Sequence, residues 1–367
     1  MKVVSIVGAR PEFVQAAPVS RALRPRHHEV LVHTGQHYDY EMDRIFFEEL
    51  GLKHPKYQLG VGSDSDVRQT QKMSVLIENI LKKEKPDATI VYGDTNSTLS
   101  GALTSAKLTI PVIHIEAGCR SFDMTVPEEV NRICSDHISR LLFPPDRVAY
   151  DNLIKEGIEK SKIFLCGNTL IDACVENYKI AKSKSKIKRT LRIERDYAVL
   201  TLHRSGNVDN KERLRRLLKI VSDIDMPIVF PVHPRTKKMV KKFGLSALLK
   251  NFIVTKPLGY IDFLALMGGS KAVFTDSGGV QVEANIIGRP CIVLRDTTEW
   301  VQETKGMSFV VSDDKKLIMT ACRKVERGEL RRLDYSKHKG SSKRIIDTCV
   351  KLNKKSPLEV WKRPIVK

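Results

Sequence analysis

The chain has 367 residues and a mass of 41.5 kDa, which is enough for two globular domains that each bury a core. Hydrophobic residues make up 41% of the chain and charged residues 29%, a balance that excludes disordered and collagen-like proteins. Lysine and arginine (63) outnumber aspartate and glutamate (43), so the net charge of +20 favours an anionic partner without choosing between nucleotide, nucleic acid and membrane.

In the first half of the chain, short β-branched runs alternate with longer amphipathic stretches, which is the pattern of βαβ units in a parallel sheet. Strands are predicted at residues 3–7, 30–34, 88–92, 112–115, 141–143 and 163–165. Helices are predicted between them, for example at residues 67–83 and 97–107.

The polar and basic stretch at residues 179–192 predicts a domain boundary, with an N-terminal domain over residues 1–182 and a C-terminal domain over residues 190–339. Further strands are predicted at residues 197–202, 228–232, 252–255, 272–275, 291–294 and 309–311, and an amphipathic helix at residues 340–353. We therefore predict an α/β fold with two doubly wound Rossmann-like domains facing a cleft, and ligands bound at the carboxyl ends of the strands.

Charged side chains follow the strands of the first half. Arg10 follows the first strand, where its guanidinium can bind a diphosphate or simply lie on the surface, and its turn is not the GxGxxG loop that would support NAD binding. Asp94 follows the strand at residues 88–92, where Asp94, Thr95 or Asn96 can instead cap the next helix. Glu116 follows an almost wholly apolar strand, and a carboxylate there is costly unless it is paired or used.

Glu128 and Arg132 lie about one turn apart in a helix predicted to start at Pro127, where the helix dipole alone also accounts for an acidic residue. With Asp94 and Glu116, Glu128 brings carboxylates to the strand ends of one sheet, as proton transfer at carbon would need. Mg²⁺ binding is the less favoured alternative, because no cluster of adjacent oxygen ligands is present. The seven cysteines are scattered without a CxxC pair, so no metal site is predicted.

Two histidines follow predicted strands of the second half. His203 and His233 are each placed where a histidine can bind phosphate or move protons near neutral pH. A hydrogen-bonded structural role is the alternative for each, but two histidines at the strand ends of one sheet exceed chance placement.

The strongest local signal is the motif TDSGGVQVE at residues 275–283. A strand ends there, two glycines bare the backbone, and a helix begins, which predicts a phosphate site at Ser277, Gly278 and Gly279. A turn that merely caps its helix is the structural alternative. Glu283, one turn into the helix, is positioned to reach a ribose hydroxyl pair.

At these residues the sequence resembles the non-hydrolysing UDP-N-acetylglucosamine 2-epimerases, a family with a two-domain glycosyltransferase-B-like fold. The shared motifs cover nearly the whole chain in the family's order: GARPE, HTGQH, VYGDTNST, IEAGCRS, PEEVNR, GNTLID, the HR at residue 203, TDSGGVQVEA and LRDTTE. The resemblance implies a catalytic set of Asp94, Glu116, Glu128 and His203. The predicted substrate-binding set is Arg10, Arg132, His233, Leu258, Tyr260, Ser277, Gly278, Gly279 and Glu283. An activator site for a second UDP-sugar, as in some bacterial members, would comprise Gln36, His37, Arg68, Gln69 and Arg204.

The resemblance also implies the chemistry. UDP leaves C1 and the C2 proton is lost in an anti elimination to a 2-acetamidoglucal, and UDP adds back after protonation from the opposite face. The predicted protein is an isomerase of nucleotide-sugar and polysaccharide biosynthesis that needs no cofactor and no NAD and forms a homodimer. A C-terminal helix at about residues 340–367 would pack back on the N-terminal domain. With no membrane-length apolar run and no signal-peptide core, we predict a cytoplasmic protein with no membrane partner.

Three departures from the family pattern leave the substrate and the activator open. Gln15 stands where the family commonly has lysine, and the sequence after His203 reads RSGN rather than RRE. The segments PVHPRT (231–236) and TEWVQ (298–302) are more similar to the subgroup that epimerises UDP-2,3-diacetamido-2,3-dideoxy-glucuronic acid, since the common type has TERPE in the second segment.

Other activities compete with this interpretation. A glycosyltransferase of the same fold would share the UDP site but leave the carboxylates of the first domain unexplained, and a hydrolysing epimerase would differ only in letting water capture the intermediate. A nucleic-acid-binding protein would account for the positive charge, but only 6% of residues are aromatic and no basic motif interleaves them, so no nucleic-acid partner is predicted.

Overall fold

The computed structural model describes the backbone of residues 1–36 and 40–354 and, within those ranges, all side chains except those of residues 40–44, 337 and 352–354. The chain divides into two compact units. The first unit holds residues 1–173 together with the described part of residues 336–367, and the second holds residues 174–335. None of the described helices combines the length and the apolarity needed to cross a membrane.

The first unit is built on a parallel sheet with the strand order β3-β2-β1-β4-β5-β6. Its strands are β1 (Lys2–Val7), β2 (His28–His33), β3 (Tyr57–Gln58), β4 (Ala88–Tyr92), β5 (Val112–Ile115) and β6 (Leu141–Phe143). Its helices are α1 (Arg10–Leu23), α2 (Tyr40–Leu50), α3 (Asp66–Glu84), α4 (Asn96–Lys107), α5 (Pro127–Ile138), α6 (Arg147–Lys155) and a short 3₁₀ turn at Lys160–Lys162, and α7 (Thr169–Lys184) leads into the second unit. The central strands β1, β4 and β5 are buried except at Lys2, which is why they read as nearly continuous apolar runs.

The second unit repeats this plan with the order β12-β11-β10-β7-β8-β9. Its elements are α8 (Ile187–Thr190), β7 (Ala198–Thr201), α9 (Ser205–Val208), α10 (Lys211–Ser222), β8 (Ile228–Pro231), α11 (Pro234–Lys242), β9 (Ile253–Thr255), α12 (Tyr260–Gly269), β10 (Ala272–Thr275), α13 (Gly278–Ile287), β11 (Cys291–Val293), β12 (Ser308–Val310) and α14 (Lys315–Glu326), with 3₁₀ turns at Ser246–Asn251 and Val301–Lys305. The predicted class, two doubly wound α/β domains, is confirmed.

The chain returns to the first unit through a 3₁₀ turn at Ser336–His338 and α15 (Ser341–Lys354), which packs against α1. Ile345, Ile346 and Cys349 are buried on the inner face of α15. The Arg344 guanidinium donates to the carbonyl of Cys166 at 2.8 and 3.0 Å, which anchors the helix outside its apolar face as well.

The structure differs from the sequence prediction at three places. Residues 163–165 form only an isolated bridge, from Ile163 to Leu142, whereas the two-residue β3 was not predicted. The polar stretch 179–192, predicted as an interdomain boundary, is the end of α7 followed by α8, and the division between the units falls earlier, between residues 173 and 174 within α7. An exposed helix carries the same basic side chains as a linker, so composition alone does not separate the two.

Candidate active site

Both sheets reverse their strand order at one point, and Arg10, Asp94, His203 and Ser277 follow the strands at these two points. In the first sheet the reversal lies between β1 and β4, and in the second between β7 and β10. Ligands of open α/β sheets bind outside the carboxyl ends of the strands at such a point. Arg10 begins α1 directly after β1 and its guanidinium lies 5.2 Å from the centre of the Phe46 ring, where it is half-buried.

The turn after β1 is held by Glu12, which the sequence analysis did not single out. Its carboxylate accepts hydrogen bonds from the backbone N–H groups of Gly8 (2.5 Å) and Ala9 (2.9 Å) and from the hydroxyls of Thr95 (2.6 Å) and Thr98 (3.0 Å). Burial raises the pKa of Glu12 to about 7, against the lowering effect of these four donors. Glu12 therefore ties the turn after β1 to the start of α4.

Asp94, at the end of β4, does not cap the helix that follows. Thr95 takes that role, since its hydroxyl accepts from the N–H groups of Ser97 (3.1 Å) and Thr98 (3.3 Å). The Asp94 carboxylate instead pairs with the guanidinium of the buried Arg132. The capping alternative is thus correct for Thr95, and Asp94 is left on the sheet edge with a cationic partner.

Arg132 is held by a second carboxylate, that of Glu129, at 2.7 Å. Glu129 is buried and also accepts from the backbone N–H groups of Ser121 (3.0 Å) and Phe122 (2.8 Å). Burial acts to raise the pKa of Glu129, but the Ser121 amide and the Arg132 guanidinium hold it below its ordinary value. Glu128, the predicted catalytic neighbour, lies half-buried in the first turn of α5.

Glu116, after β5, accepts a hydrogen bond from the side-chain amide of Gln15. Gln15 is buried, and its own Oε1 lacks a hydrogen-bond partner among the described residues. Glu116 has a φ of 72°, in the left-handed region that residues with a Cβ seldom adopt. Such strain is kept only where the surroundings over-determine the backbone. A neutral amide therefore contacts Glu116, while a full positive charge contacts Asp94.

The residues predicted as an activator site lie in both units. In the first unit, Gln36 accepts from the N–H and the hydroxyl of Ser97 through its Oε1, at 3.0 and 2.7 Å. The Gln69 amide donates to the backbone carbonyl of Gln36 at 3.1 Å, and Arg68 lies exposed in the first turn of α3. Arg204 belongs to the second unit, where its guanidinium is 3.6 Å from the Glu299 carboxylate, and His37 lies outside the described residues. A second ligand at these residues stays a prediction.

In the second unit, His203 is oriented by Asp276. The fully buried Asp276 accepts from the backbone N–H groups of His203 (3.0 Å) and Arg204 (3.0 Å), and its Oδ1 is 3.1 Å from Nδ1 of the His203 ring. Burial opposes the charge, but His203 and these N–H groups lower the pKa of Asp276 to about 2. With Nδ1 turned to Asp276, the ring of His203, which is 39% exposed, presents Nε2 at the sheet edge.

His233 lies beside His203, with 5.6 Å between the ring centres. It is the N-cap of α11, and its Nδ1 accepts from the N–H of Arg235 at 3.2 Å. The two predicted histidines are thus brought together. Because Nδ1 of His233 caps the helix, Nε2 is the ring nitrogen on the side away from α11.

The predicted phosphate turn opens α13 with Ser277 as its N-cap. A Cβ on Gly278 would lie 2.9 Å from the Trp300 ring and would overlap the carboxylate of Glu299, so only glycine fits there. A Cβ on Gly279 would meet no other atom closer than Ser277 Oγ at 4.0 Å, so this turn has room above its second glycine. The open side of the turn carries the first N–H groups of a helix, which is the arrangement that binds phosphate.

Glu283 and Tyr260 form a buried pair behind this turn. The Tyr260 hydroxyl donates to Glu283 at 2.8 Å. Burial raises the pKa of Glu283 to about 7, with the Tyr260 hydrogen bond acting in the opposite direction. Leu258, just before α12, is half-buried and packs with the apolar cluster beneath β7.

Three carboxylates that organise the site were not predicted to act there: Glu12, Glu129 and Asp276. Each is buried and binds backbone N–H groups at a strand end or in the first turn of a helix. Their signal in the sequence was an acidic residue beside a predicted site residue, which helix capping or the helix dipole explained equally well. Among the described residues, no three His, Cys, Asp or Glu side chains are grouped to hold a metal ion.

Two doubly wound sheets, each with a polar cluster where its strand order reverses, define a two-domain α/β protein of the glycosyltransferase-B-like class. The chain belongs to the UDP-N-acetylglucosamine 2-epimerase family, whose model matches residues 21–349. This is a family of isomerases, so the glycosyltransferase interpretation is set aside and the family resemblance is confirmed.

Named relatives support the assignment. The chain is 46% identical over 333 residues to the UDP-N-acetylglucosamine 2-epimerase of Methanocaldococcus jannaschii, covering 88% of this chain and 91% of that protein. It is 42% identical over 331 residues to the UDP-2,3-diacetamido-2,3-dideoxy-D-glucuronate 2-epimerase of Pseudomonas aeruginosa, covering 88% and 92%. The crystal structure of the M. jannaschii enzyme in complex with UDP-GlcNAc and UDP matches with a TM-score of 0.90 and 43% identity, over 96% of this chain and 100% of that one.

Proposed function

We propose that this chain is a non-hydrolysing 2-epimerase that interconverts UDP-N-acetylglucosamine and UDP-N-acetylmannosamine. The observation that carries the proposal is the pair of carboxylates after adjacent strands: Asp94 after β4, paired with Arg132, and Glu116 after β5, paired with Gln15. Two carboxylates in different electrostatic surroundings on one sheet edge can take different parts in proton transfer.

In the proposed reaction the C1–O bond of the sugar nucleotide breaks and UDP leaves with the electron pair. The C2–H bond breaks at the same stage, its electrons form the C1=C2 double bond of 2-acetamidoglucal, and its proton goes to a protein base. In the second stage a protein acid delivers a proton to the opposite face of C2, and a phosphate oxygen of UDP forms the new C1–O bond. The reaction is redox-neutral and consumes no co-reactant.

We assign Glu116 as a group that exchanges a proton with C2, because it follows β5, the strand beside that of Asp94, and accepts a hydrogen bond from the neutral amide of Gln15. Asp94 and Glu128 are assigned to the opposite face and to the leaving group. Arg132 keeps the negative charge of Asp94 compensated inside a buried environment.

The UDP portion is assigned to the second unit. The N–H groups at Ser277, Gly278 and Gly279 would stabilise charge that develops on the diphosphate as the C1–O bond breaks. His203 would donate to the same oxygens through Nε2, since Asp276 holds its Nδ1 side. Glu283 is assigned to the ribose hydroxyls and Leu258 to the side of the uracil ring.

The test is proton NMR of UDP-N-acetylglucosamine incubated with the protein in D₂O. We expect the manno epimer to appear with deuterium at C2, and Glu116→Gln to abolish this exchange. A matched control is Glu84→Gln, which removes a buried carboxylate paired with Lys2 and Lys56 at the amino end of the sheet. Release of free N-acetylmannosamine instead of its UDP form would mean a hydrolysing enzyme and would contradict the proposal.

A second substrate is favoured by one relative, the diacetamido-glucuronate epimerase of P. aeruginosa. This chain has Trp300, buried against Gly278, where the common epimerase type has arginine in its TERPE segment. The same assay with the diacetamido-uronate sugar nucleotide separates the two substrates. A kcat/KM higher for the uronate than for UDP-N-acetylglucosamine would make the second function the correct one.

A homodimer is proposed as the working form. Its support is the set of exposed apolar side chains on two helices of the first unit that contact each other: Val67 (80% exposed) and Val75 (55%) on α3, and Leu103 (39%) on α4. We expect multi-angle light scattering to give twice the chain mass and Val75→Asp to give the monomer. A monomeric wild-type protein would contradict this assignment.

A further inference from the structure

His114 lies in β5, two residues before Glu116, and is fully buried. Both of its ring nitrogens are within hydrogen-bond distance of an oxygen. Nδ1 is 2.7 Å from Oδ1 of Asp136, and Nε2 is 2.8 Å from the backbone carbonyl of Gly93, the residue before Asp94. His114 thus connects α5 to the backbone that carries Asp94.

Asp136, in α5, contacts the other side of the site. Its Oδ2 accepts from the backbone N–H of Gly118 at 3.0 Å, two residues after Glu116, and lies 2.7 Å from the Arg120 guanidinium. Gly118 has a φ of 80°, and a Cβ there would overlap the carbonyl of Ala149, so this turn accepts only glycine. The carboxylate thus anchors a turn that packs closely against the backbone of Ala149.

Asp136 is the centre of this cluster and contacts both His114 and Arg120. Both partners of the His114 ring are acceptors, so both contacts are hydrogen bonds only when the ring carries both N–H protons. Asp136 is held ionised, because His114 and Arg120 outweigh its burial and lower its pKa. Arg120 is bound in turn by Glu156, through Nε and Nη2 at 2.8 and 2.7 Å. Asp136 and Arg120 therefore connect the buried His114 to the half-buried Glu156.

The backbone between the two anchors is strained. Glu116 has a φ of 72°, and its N–H donates to the Phe143 carbonyl at 3.1 Å. In the turn that follows, the N–H of Gly118 donates to Asp136. Strained residues persist only where several contacts define them together. Removing one contact would let Glu116 relax toward an ordinary backbone conformation and would turn its carboxylate away.

We infer that His114 and Asp136 are a positioning pair for the two carboxylates: His114 holds the turn of Asp94 through Gly93 O, and Asp136 holds the turn of Glu116 through Gly118 N. The inference rests on the proposed roles of Asp94 and Glu116 in proton transfer. Neither His114 nor Asp136 contacts the substrate in this scheme, and both act through the backbone of the two turns.

The test uses two substitutions of His114 that each keep one donor. Glutamine places its amide nitrogen near the former Nε2, and asparagine places its own near the former Nδ1. His114→Gln therefore retains the contact with Gly93 O, whereas His114→Asn retains the contact with Asp136. Asp136→Asn removes the charge from the pair, and Glu84→Gln is the control for loss of a distant buried ion pair.

Steady-state kinetics and amide hydrogen exchange are measured on each full-length variant. We expect His114→Asn to lower kcat by about 100-fold with KM within about twofold, as a misplacement of reacting groups does. His114→Gln is expected to stay within about tenfold of the wild type, and amide exchange at residues 93–95 to accelerate only in His114→Asn. Asp136→Asn should accelerate exchange at residues 117–119, while Glu84→Gln should lower the melting temperature and leave kcat unchanged.

Equal losses of kcat in His114→Asn and His114→Gln that follow the melting temperature would overturn the inference, because a merely structural role predicts that result. Wild-type kcat in Asp136→Asn would overturn it as well. If the wild-type protein epimerises neither sugar nucleotide, the proposed function fails, and the exchange rates at the two turns still decide whether the pair positions them.

Discussion

Alanine substitutions at the two neighbouring glycines of the phosphate turn, Gly278 and Gly279, are predicted to have opposite effects on stability. Gly278 is packed against Trp300 and Glu299, both buried, and Glu299 is tied to Arg295 at 2.7 Å. Gly279 faces open space, and neither glycine has a left-handed φ. Replacing each in turn by alanine therefore separates what the turn needs for packing from what it needs for binding UDP.

The magnitudes follow from these surroundings. Gly278→Ala forces its methyl group into a packed ion pair and an indole ring, which costs about 1–3 kcal/mol. In a unit of this size, that loss corresponds to a melting temperature lower by about 2–12 °C. Gly279→Ala adds a methyl group that meets only Ser277 Oγ, at an unstrained 4.0 Å, and alanine favours the helix by about 0.5 kcal/mol.

The assay combines thermal unfolding with calorimetric titration of UDP alone, so that the sugar plays no part. We expect Gly279→Ala to melt at or above the wild-type temperature and to bind UDP at least about tenfold more weakly, a loss of about 1.4 kcal/mol, because its methyl group occupies the approach of the diphosphate. Wild-type UDP affinity in Gly279→Ala would refute the assignment of this turn as the phosphate site. Unchanged stability in Gly278→Ala would refute the packing argument.

Three further predictions follow from the buried charges. The pKa of Glu12 is raised from 4.5 to about 7, so the folded protein holds the proton of its carboxyl group more tightly than the unfolded chain does. This difference stabilises the folded protein by about 3 kcal/mol below pH 4.5, and the stabilisation is lost as the pH rises to about 7. Glu12→Gln cannot ionise, so its melting temperature relative to wild type should rise between pH 4.5 and 7, and a difference independent of pH would contradict this. Arg132→Met leaves Glu129 and Asp94 without their cation and should lower the free energy of unfolding by about 3 kcal/mol or more, whereas Arg147→Met at an exposed pair with Asp151 should lower it by less than about 1 kcal/mol; similar losses in both would argue against the buried pair. Asp276→Asn should lower kcat by about 100-fold, since His203 loses the carboxylate that orients its ring, and kcat within twofold of wild type would show that this orientation is unimportant.

Local patterns predicted most of the strands, because strands buried on both faces leave continuous apolar runs in the sequence. The prediction at residues 88–92 matches β4, and that at 112–115 matches β5. The prediction at residues 163–165 was wrong, since Ile163 makes only a bridge to the edge strand β6. An apolar run indicates burial, and a segment packed beneath a helix can be as buried as a strand. Whether the segment pairs with a sheet depends on which strand edge is free.

Side-chain roles were predictable where they depend on the element that carries them. A carboxylate after a buried strand, such as Glu116, and a glycine pair before a helix, such as that of Gly278, can be recognised from a few neighbouring residues. The capping residue of α4 was narrowed to three neighbours, and only the structure selects Thr95, because the choice depends on which side chain also has a partner elsewhere. Asp94 has such a partner in Arg132, 38 residues away.

By itself, the sequence determined the two-domain α/β class, the strand ends that carry polar residues and the family to which the chain belongs. These properties depend on the period of burial and on short motifs, both of which are local. The tertiary structure decided the pairs Gln15–Glu116, Asp94–Arg132 and His114–Asp136, and the return of α15 to α1. Those contacts join segments far apart in the chain, and they arise because the sheet order sets β1 beside β4 and β4 beside β5, which no local pattern encodes.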